Sequence, residues 1–311
     1  MLIQTPLKSH DPSWLLSAIR LPAVSGSAQF WKRALIFCTL LLTTCSSPGF
    51  VDTVLFIVTE DAAHGEVTIE PVVRVEGGRL NEPPRDSKWL QPYLGTHPLP
   101  LYSHGQLVGR VQILASSPYG GCAAGPYNAR LQLSVPRAEA AYSAQGAIYR
   151  LASSTLLFDA PAPSLALSVE QRNLLERTAR TQLQKLGLDT AGLRTLQLTD
   201  AARLTIAGRT VLVGTVSALA DSVSRPGATA LVVLEQQGSD WQLTYDYHQR
   251  FKDIYGQDFV GELFRDAIDL DRDGVPELIF ERMGNEVYQY QILKRQDAGW
   301  RVIYTGGGGG C

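Results

Sequence analysis

From about residue 52 onward, apolar and polar positions alternate with a period of two, the period of a strand whose successive side chains face opposite sides. Val54-Leu55-Phe56-Ile57-Val58 is apolar throughout and predicts a fully buried strand. Glu66 to Ile69 opens a second strand that continues from Val72 to Val75 and stops at Gly77-Gly78. Pro83, Pro84, Pro92, Pro98 and Pro100 punctuate a long loop. Leu101-Tyr102 and the run Leu107 to Ile113 then flank Ser103-His104-Gly105-Gln106, which reads as a hairpin. Arg130 to Val135 alternates cleanly, and Ala147 to Leu151 and Thr155 to Phe158 are weaker strand candidates. Residues 52–158 are therefore expected to form a small all-β N-terminal domain, a sandwich or barrel.

Residues 159–167, with Pro161 and Pro163, read as a linker. Ser168-Val169-Glu170-Gln171 has the serine and the glutamine, three residues on, of a capping box, which predicts a helix start. Leu175, Ala179, Leu183 and Leu186 then recur at helical spacing, and Gly187 supplies a stop. Beyond it the period returns to two. Val211 to Val216 is apolar enough to be a central strand. Two hairpins have the same layout: Leu234 and Trp241 flank the first turn, and Leu293 and Trp300 flank the second. The whole predicts a mainly β, antiparallel protein. Its second domain, residues 168–305, is α+β, with one long helix packed on a meander sheet. Residues 306–311, five glycines and Cys311, read as a flexible tail.

The chain has 311 residues, is 45% hydrophobic and 19% charged, and carries a net charge of −2. That supports a substantial core and argues against an electrostatic nucleic-acid binder. No nucleophile elbow, phosphate loop, H-E-x-x-H or paired C-x-x-C is present, so nothing in the sequence points to an enzyme.

Residues 1–30 form a leader without period, and the true start is expected downstream of Met1. In residues 31–45 the basic pair Lys32-Arg33 precedes a short apolar run, Ala34 to Leu42, as in a secretory signal. Leu42-Thr43-Thr44-Cys45 resembles a bacterial lipobox, which implies diacylation of Cys45 and a membrane lipid anchor. The protein is thus expected in the bacterial periplasm or on the outer membrane or cell surface. The alternatives are an ordinary secreted protein or an uncleaved anchor. Of four cysteines, Cys38 would leave with the signal and Cys45 would be lipidated. Cys122 and Cys311 remain, either as a disulfide or as two unpaired thiols.

The clearest chemistry lies in Asp269-Leu270-Asp271-Arg272-Asp273-Gly274-Val275-Pro276-Glu277. In an extended loop Asp269, Asp271 and Asp273 point one way, Gly274 allows a sharp turn, and Glu277 closes the set. Carboxylate and carbonyl oxygens in that density suit a hard cation such as calcium. Position twelve, where an EF-hand needs glutamate, is Phe280, and Pro276 precedes a strand-like Leu278-Ile279-Phe280. The stretch resembles the FG-GAP/VCBS type of calcium loop, D-x-D-x-D-G-x-x-[D/E] joining two strands. The resemblance covers about residues 262–281, in a single copy. It implies calcium held by Asp269, Asp271, Asp273 and Glu277, with the Val275 carbonyl also placed as a ligand. Such a site pins a hairpin, with an affinity on the order of 0.1–1 mM.

Trp241, Leu243, Tyr245 and Tyr247 alternate and are expected to share one face of a strand. That face is either core under the helix or a platform for stacking on a glycan. The sequence thus supports an exported, lipid-anchored envelope protein with a structural calcium loop, acting in binding or envelope organisation. A glycan-binding or enzyme-accessory module is the alternative, and an uncharacterised hydrolase comes third.

Overall fold

The computed structural model describes residues 52–61, 64–84, 87–95, 97–116, 127–134, 147–157, 166–218, 227–251, 261–284, 287–297 and 299–310. They hold three antiparallel sheets and little helix.

The first sheet is built from β1 (Thr53–Asp61), β2 (Glu66–Glu76), β3 (Arg79–Asn81), β4 (Leu99–Ser103), β5 (Gln106–Ser116), β6 (Tyr127–Leu133) and β7 (Ala147–Ser153). Its order is β1-β7-β4-β5-β6-β2-β3, and β1 also pairs with β2. Six strands therefore close on themselves, while β3 adds to the far half of β2. The apolar run in β1 explains the closure. Val54, Phe56 and Val58 face the barrel interior with Leu101, Val111, Ile113 and Ala152. Leu55 and Ile57 face outward into a second core. A strand buried on both faces needs apolar residues at both parities. The proline-rich loop is not wholly irregular. Ser87–Tyr93 winds into a 3₁₀ helix that packs Trp89, Leu90 and Tyr93 on the barrel core. The interior also holds one ion pair, Arg150 to Glu60 at 2.8 Å, both side chains buried.

Helix α1 (Val169–Lys185) begins as the sequence predicts. The Ser168 hydroxyl accepts the Gln171 N–H at 3.2 Å, and the Ser168 N–H donates to the Gln171 side chain at 3.0 Å. Leu175, Ala179 and Leu183 are buried. A short helix α2 (Thr190–Arg194), capped by Asp189, follows. Both helices cover one face of the second sheet: β8 (Gln197–Ile206), β9 (Arg209–Ala218), β10 (Gly227–Gln237) and β11 (Asp240–Phe251), an antiparallel meander. Among the described residues no helix is long and apolar enough to cross a membrane.

The third sheet, β12 (Gly261–Ile268), β13 (Glu277–Met283), β14 (Val287–Gln296) and β15 (Gly299–Gly310), is a second meander. It lies between the other two. Phe264, Ala267, Leu278, Phe280, Leu293 and Trp300 pack on the second sheet. Ile268, Ile279, Tyr290, Ile292 and Tyr304 pack on the outside of the barrel. The described residues thus form one compact unit of stacked layers: helices, second sheet, third sheet, barrel.

Buried polar side chains tie these layers together. Glu235, on β10, accepts from Arg295 Nε at 2.8 Å and Nη2 at 3.1 Å and from Trp300 Nε1 at 2.9 Å, all across the second and third sheets. Asp200 accepts the Phe264 N–H at 2.6 Å. Asp266 accepts the Ala267 N–H at 2.8 Å and the N–H groups of His104 and Gly105. Those last two residues form the left-handed turn of the β4–β5 hairpin, with φ of 52° and 68°. On the barrel side, Glu70 of β2 receives the hydroxyls of Tyr288, at 2.6 Å, and Tyr290.

Two sequence expectations are corrected. The glycines of residues 306–310 are not a flexible tail but the end of β15, with Gly306 opposite Tyr290 and Gly309 opposite Tyr288. Glycine is required by close approach: a Cβ on Gly307 (φ 62°) would lie 1.9 Å from the Val72 carbonyl oxygen, and one on Gly308 would lie 1.8 Å from that of Tyr288. The aromatic residues of β11 do not share a face. Register shifts between Val233 and Leu234, where Leu234 pairs with Leu243 but Val233 pairs with Tyr245, leaving Thr244 as the extra residue. A bulge reverses the parity of the residues beyond it. Trp241 and Leu243 therefore pack on the helix side, whereas Tyr245 and Tyr247 pack between the sheets.

Candidate metal centre

The acidic loop joins β12 to β13, and both strands are fixed in the middle of the stack by the cores on either side. Leu270, which points away from the aspartates, is buried against the barrel and anchors the start of the loop. Arg272 adopts φ 64° and sends its guanidinium to the Leu156 carbonyl at 3.2 Å. Gly274 adopts φ 85°, a left-handed conformation that suits glycine. Val275 turns its side chain toward the core between the second and third sheets.

These anchors leave the carboxylates converging. One oxygen each from Asp269, Asp271 and Asp273 lies within 4.8 Å of the others. Asp269 is buried and organises the loop from inside, accepting the N–H of Asp273 at 3.1 Å and of Gly274 at 2.9 Å. Asp273 accepts the Val275 N–H at 2.8 Å. Glu277, 1% exposed, accepts the Leu270 N–H at 2.8 Å through Oε2. Its Oε1 and the Oδ1 of Asp271 are buried without a hydrogen-bond donor. The structure thus brings together Asp269, Asp271, Asp273 and Glu277. It shows Val275 by its N–H and its side chain.

Lys294, on β14, is the residue that sequence reasoning missed. Its ammonium reaches Asp271, Asp273 Oδ2 at 2.7 Å and Glu277 Oε1 at 3.2 Å. The signal lies in strand register, not in the loop. Leu278 pairs with Leu293, and one further step sets Glu277 across from Lys294. Finding it from sequence would have required the β13–β14 pairing.

The titration of these groups follows from the geometry. Burial pushes the Glu277 carboxyl up to about 7, with Asp271 adding to the rise and the Leu270 N–H and Lys294 opposing it. Burial also pushes Asp273 upward, but Lys294 and the Val275 N–H outweigh it and hold this carboxyl below its ordinary range. Burial works against the Lys294 charge, yet Asp271, Asp273 and Glu277 keep the ammonium above the usual lysine value. An all-oxygen donor set with two buried oxygens lacking donors fits a hard divalent cation, and does not fit a soft one.

The other expected site residues are placed as follows. Trp241, Tyr245 and Tyr247 are each partly buried, and they are divided between two faces of β11. The Tyr247 hydroxyl donates to Gln249 at 2.5 Å and accepts from Arg282, whose guanidinium lies 4.5 Å from the Tyr247 ring. Cys45, Cys122 and Cys311, with the lipid anchor and the disulfide they would form, lie outside the described residues. Comparison with protein-family models, with curated proteins and with solved structures finds no match to this chain.

Proposed function

We propose that the Asp269–Glu277 loop binds calcium and clasps the β12–β13 hairpin of an exported, lipid-anchored envelope protein. The observation that carries the metal reading is the pocket itself. Three aspartate oxygens lie within 4.8 Å of one another, and the buried Glu277 turns toward the pocket an oxygen with no hydrogen-bond donor. Four carboxylates so placed repel one another unless cations compensate them, and the single charge of Lys294, set against Asp271, Asp273 and Glu277, offsets only part of theirs. The export reading rests on Lys32-Arg33, the apolar run that follows and Cys45. A role as a scaffold for binding in the envelope accords with a loop whose ends are anchored in the cores on either side while Arg272, Asp273 and Gly274 stand exposed at its tip. The glycan platform draws no support, because its aromatic residues lie on opposite faces.

The test is thermal unfolding of the purified protein in calcium, in magnesium and in chelator, for wild type and Asp271→Asn. Calcium at ten times its Kd stabilises by about 1.4 kcal/mol. For a fold of this size that raises Tm by roughly 3–6 °C. A rise specific to calcium and lost in the variant supports the reading. An unchanged Tm up to 10 mM calcium, a level chosen at about ten times the weakest Kd expected of extracellular modules, refutes it.

A further inference from the structure

We infer that Lys294 is a built-in cation for this loop, so that calcium binding is an exchange in which the ammonium leaves. The inference rests on the calcium reading and adds what regulates it.

Two independent observations lead here. The first is the position of the ammonium. It reaches three of the four loop carboxylates, Asp271, Asp273 and Glu277, and so occupies the space on which a shared cation would sit. The second is Glu277. This side chain is 1% exposed, and only one of its oxygens takes a backbone N–H. The other has no hydrogen-bond donor and meets Lys294 at 3.2 Å, a charge contact without the geometry of a hydrogen bond. A hard ion bonds to oxygen without directional demands. An ammonium must aim its N–H bonds; this one donates to Asp271 and meets Asp273 and Glu277 as ion pairs. The pocket is therefore filled by a group that satisfies it incompletely.

The rest of the loop does not depend on the filler. Asp269 is held by the N–H groups of Asp273 and Gly274, Asp273 by that of Val275, and Leu270 by the barrel core. The loop thus keeps its shape whether the central charge is an ammonium or a metal ion. Lys294 lies near the end of β14, with its side chain only 17% exposed, so its departure requires rotation of a four-carbon stem toward solvent. Two mutually exclusive occupants of one site weaken each other. The apparent affinity for the second falls by the fraction of molecules in which the first is absent. If the ammonium fills the site in 90–99% of molecules, removing it tightens calcium binding on the order of 10- to 100-fold.

The experiment is calorimetric titration of calcium chloride into wild type, Lys294→Met and Lys294→Gln, with Tm measured for each in chelator. Both variants are expected to bind calcium at least ten-fold more tightly than wild type and to melt lower in chelator. A variant that folds only with calcium supports the exchange equally. In parallel, acetylation of wild-type lysines by an amine-reactive ester is mapped by mass spectrometry with and without calcium. Lys294 is expected to be protected in chelator and modified in saturating calcium. This arm needs no variant to fold. Calcium binding by wild type, with unchanged affinity in both variants and unchanged Lys294 acetylation, overturns the exchange and leaves the calcium reading intact. No binding by any of the three proteins overturns both.

Discussion

Glu235 is the strongest tie between the two meander sheets, and the consequences of removing it can be worked through. The side chain is fully buried and takes four hydrogen bonds, two from Arg295, one from Trp300 and one from Arg209. Arg209 stands 3.4 Å from its second oxygen. In Glu235→Ala the Arg295 guanidinium keeps its charge without a partner in a site it can leave only in part. Breaking such a pair costs roughly 3–5 kcal/mol. At roughly 2–4 °C for each kcal/mol in a chain of this length, Tm falls by about 6–20 °C. The double variant Glu235→Met with Arg295→Met strands no buried charge, because Arg209, the other partner, is 47% exposed. It leaves the Trp300 N–H unpaired, at a cost of about 1–3 kcal/mol. The double variant should therefore be more stable than the single one. Urea unfolding followed by tryptophan fluorescence measures each ΔG. A cost below about 1 kcal/mol for Glu235→Ala would refute the reasoning, since surface substitutions away from such features stay near 0.5. So would a double variant less stable than the single.

Two further predictions concern the ties to the third sheet. Gly307→Ala places a methyl against the Val72 carbonyl in a left-handed conformation, so a cost of about 2–4 kcal/mol is expected. Denaturant unfolding checks it, and Thr305→Ala, on the same strand but outside the glycine run, serves as the control. Stability should also fall as pH rises. Burial lifts the folded-state pKa of Asp266 and Glu262 to about 7 and of Asp200 to about 6. Below the unfolded values, near 4, these groups are protonated in both states and carry no penalty. Between about pH 4 and 7 the unfolded chain releases their protons first, and the folded state loses ground. Asp266→Asn should flatten part of that slope, as read by urea unfolding at pH 4.5 and 7.5. An unchanged slope would show that Asp266 is ionised in the fold.

What was legible in the sequence was local. Ser168 and Gln171 stand three residues apart and announce the helix start. The spacing of Asp269, Asp271 and Asp273 with Gly274 announces the loop, and the antiparallel alternation announces the strands. What was not legible needed information from a second strand. Closure of the barrel depends on β2 meeting both β1 and β6, pairings separated by more than fifty residues on one side. The parity of Tyr245 depends on a bulge that shows only against β10. The glycines at 306–310 suggest freedom by composition, yet they are chosen by the nearness of Val72 and Tyr288. Lys294 belongs to the loop only through the β13–β14 register.

The position of the third sheet in the stack also has a consequence in time. The sheet buried on both faces is the last of the three in chain order. During synthesis the barrel and the second sheet emerge first, each with an apolar surface that only β12 to β15 will cover. Leu55, Ile57, Val72 and Val73 wait on one side, and Leu204, Val211, Val213 and Leu231 on the other. Exposed apolar faces of this kind invite association with other chains. The nascent protein is therefore most vulnerable while β12 to β15 are still being made. Any holding factor would have to cover two surfaces at once, and let go of both together.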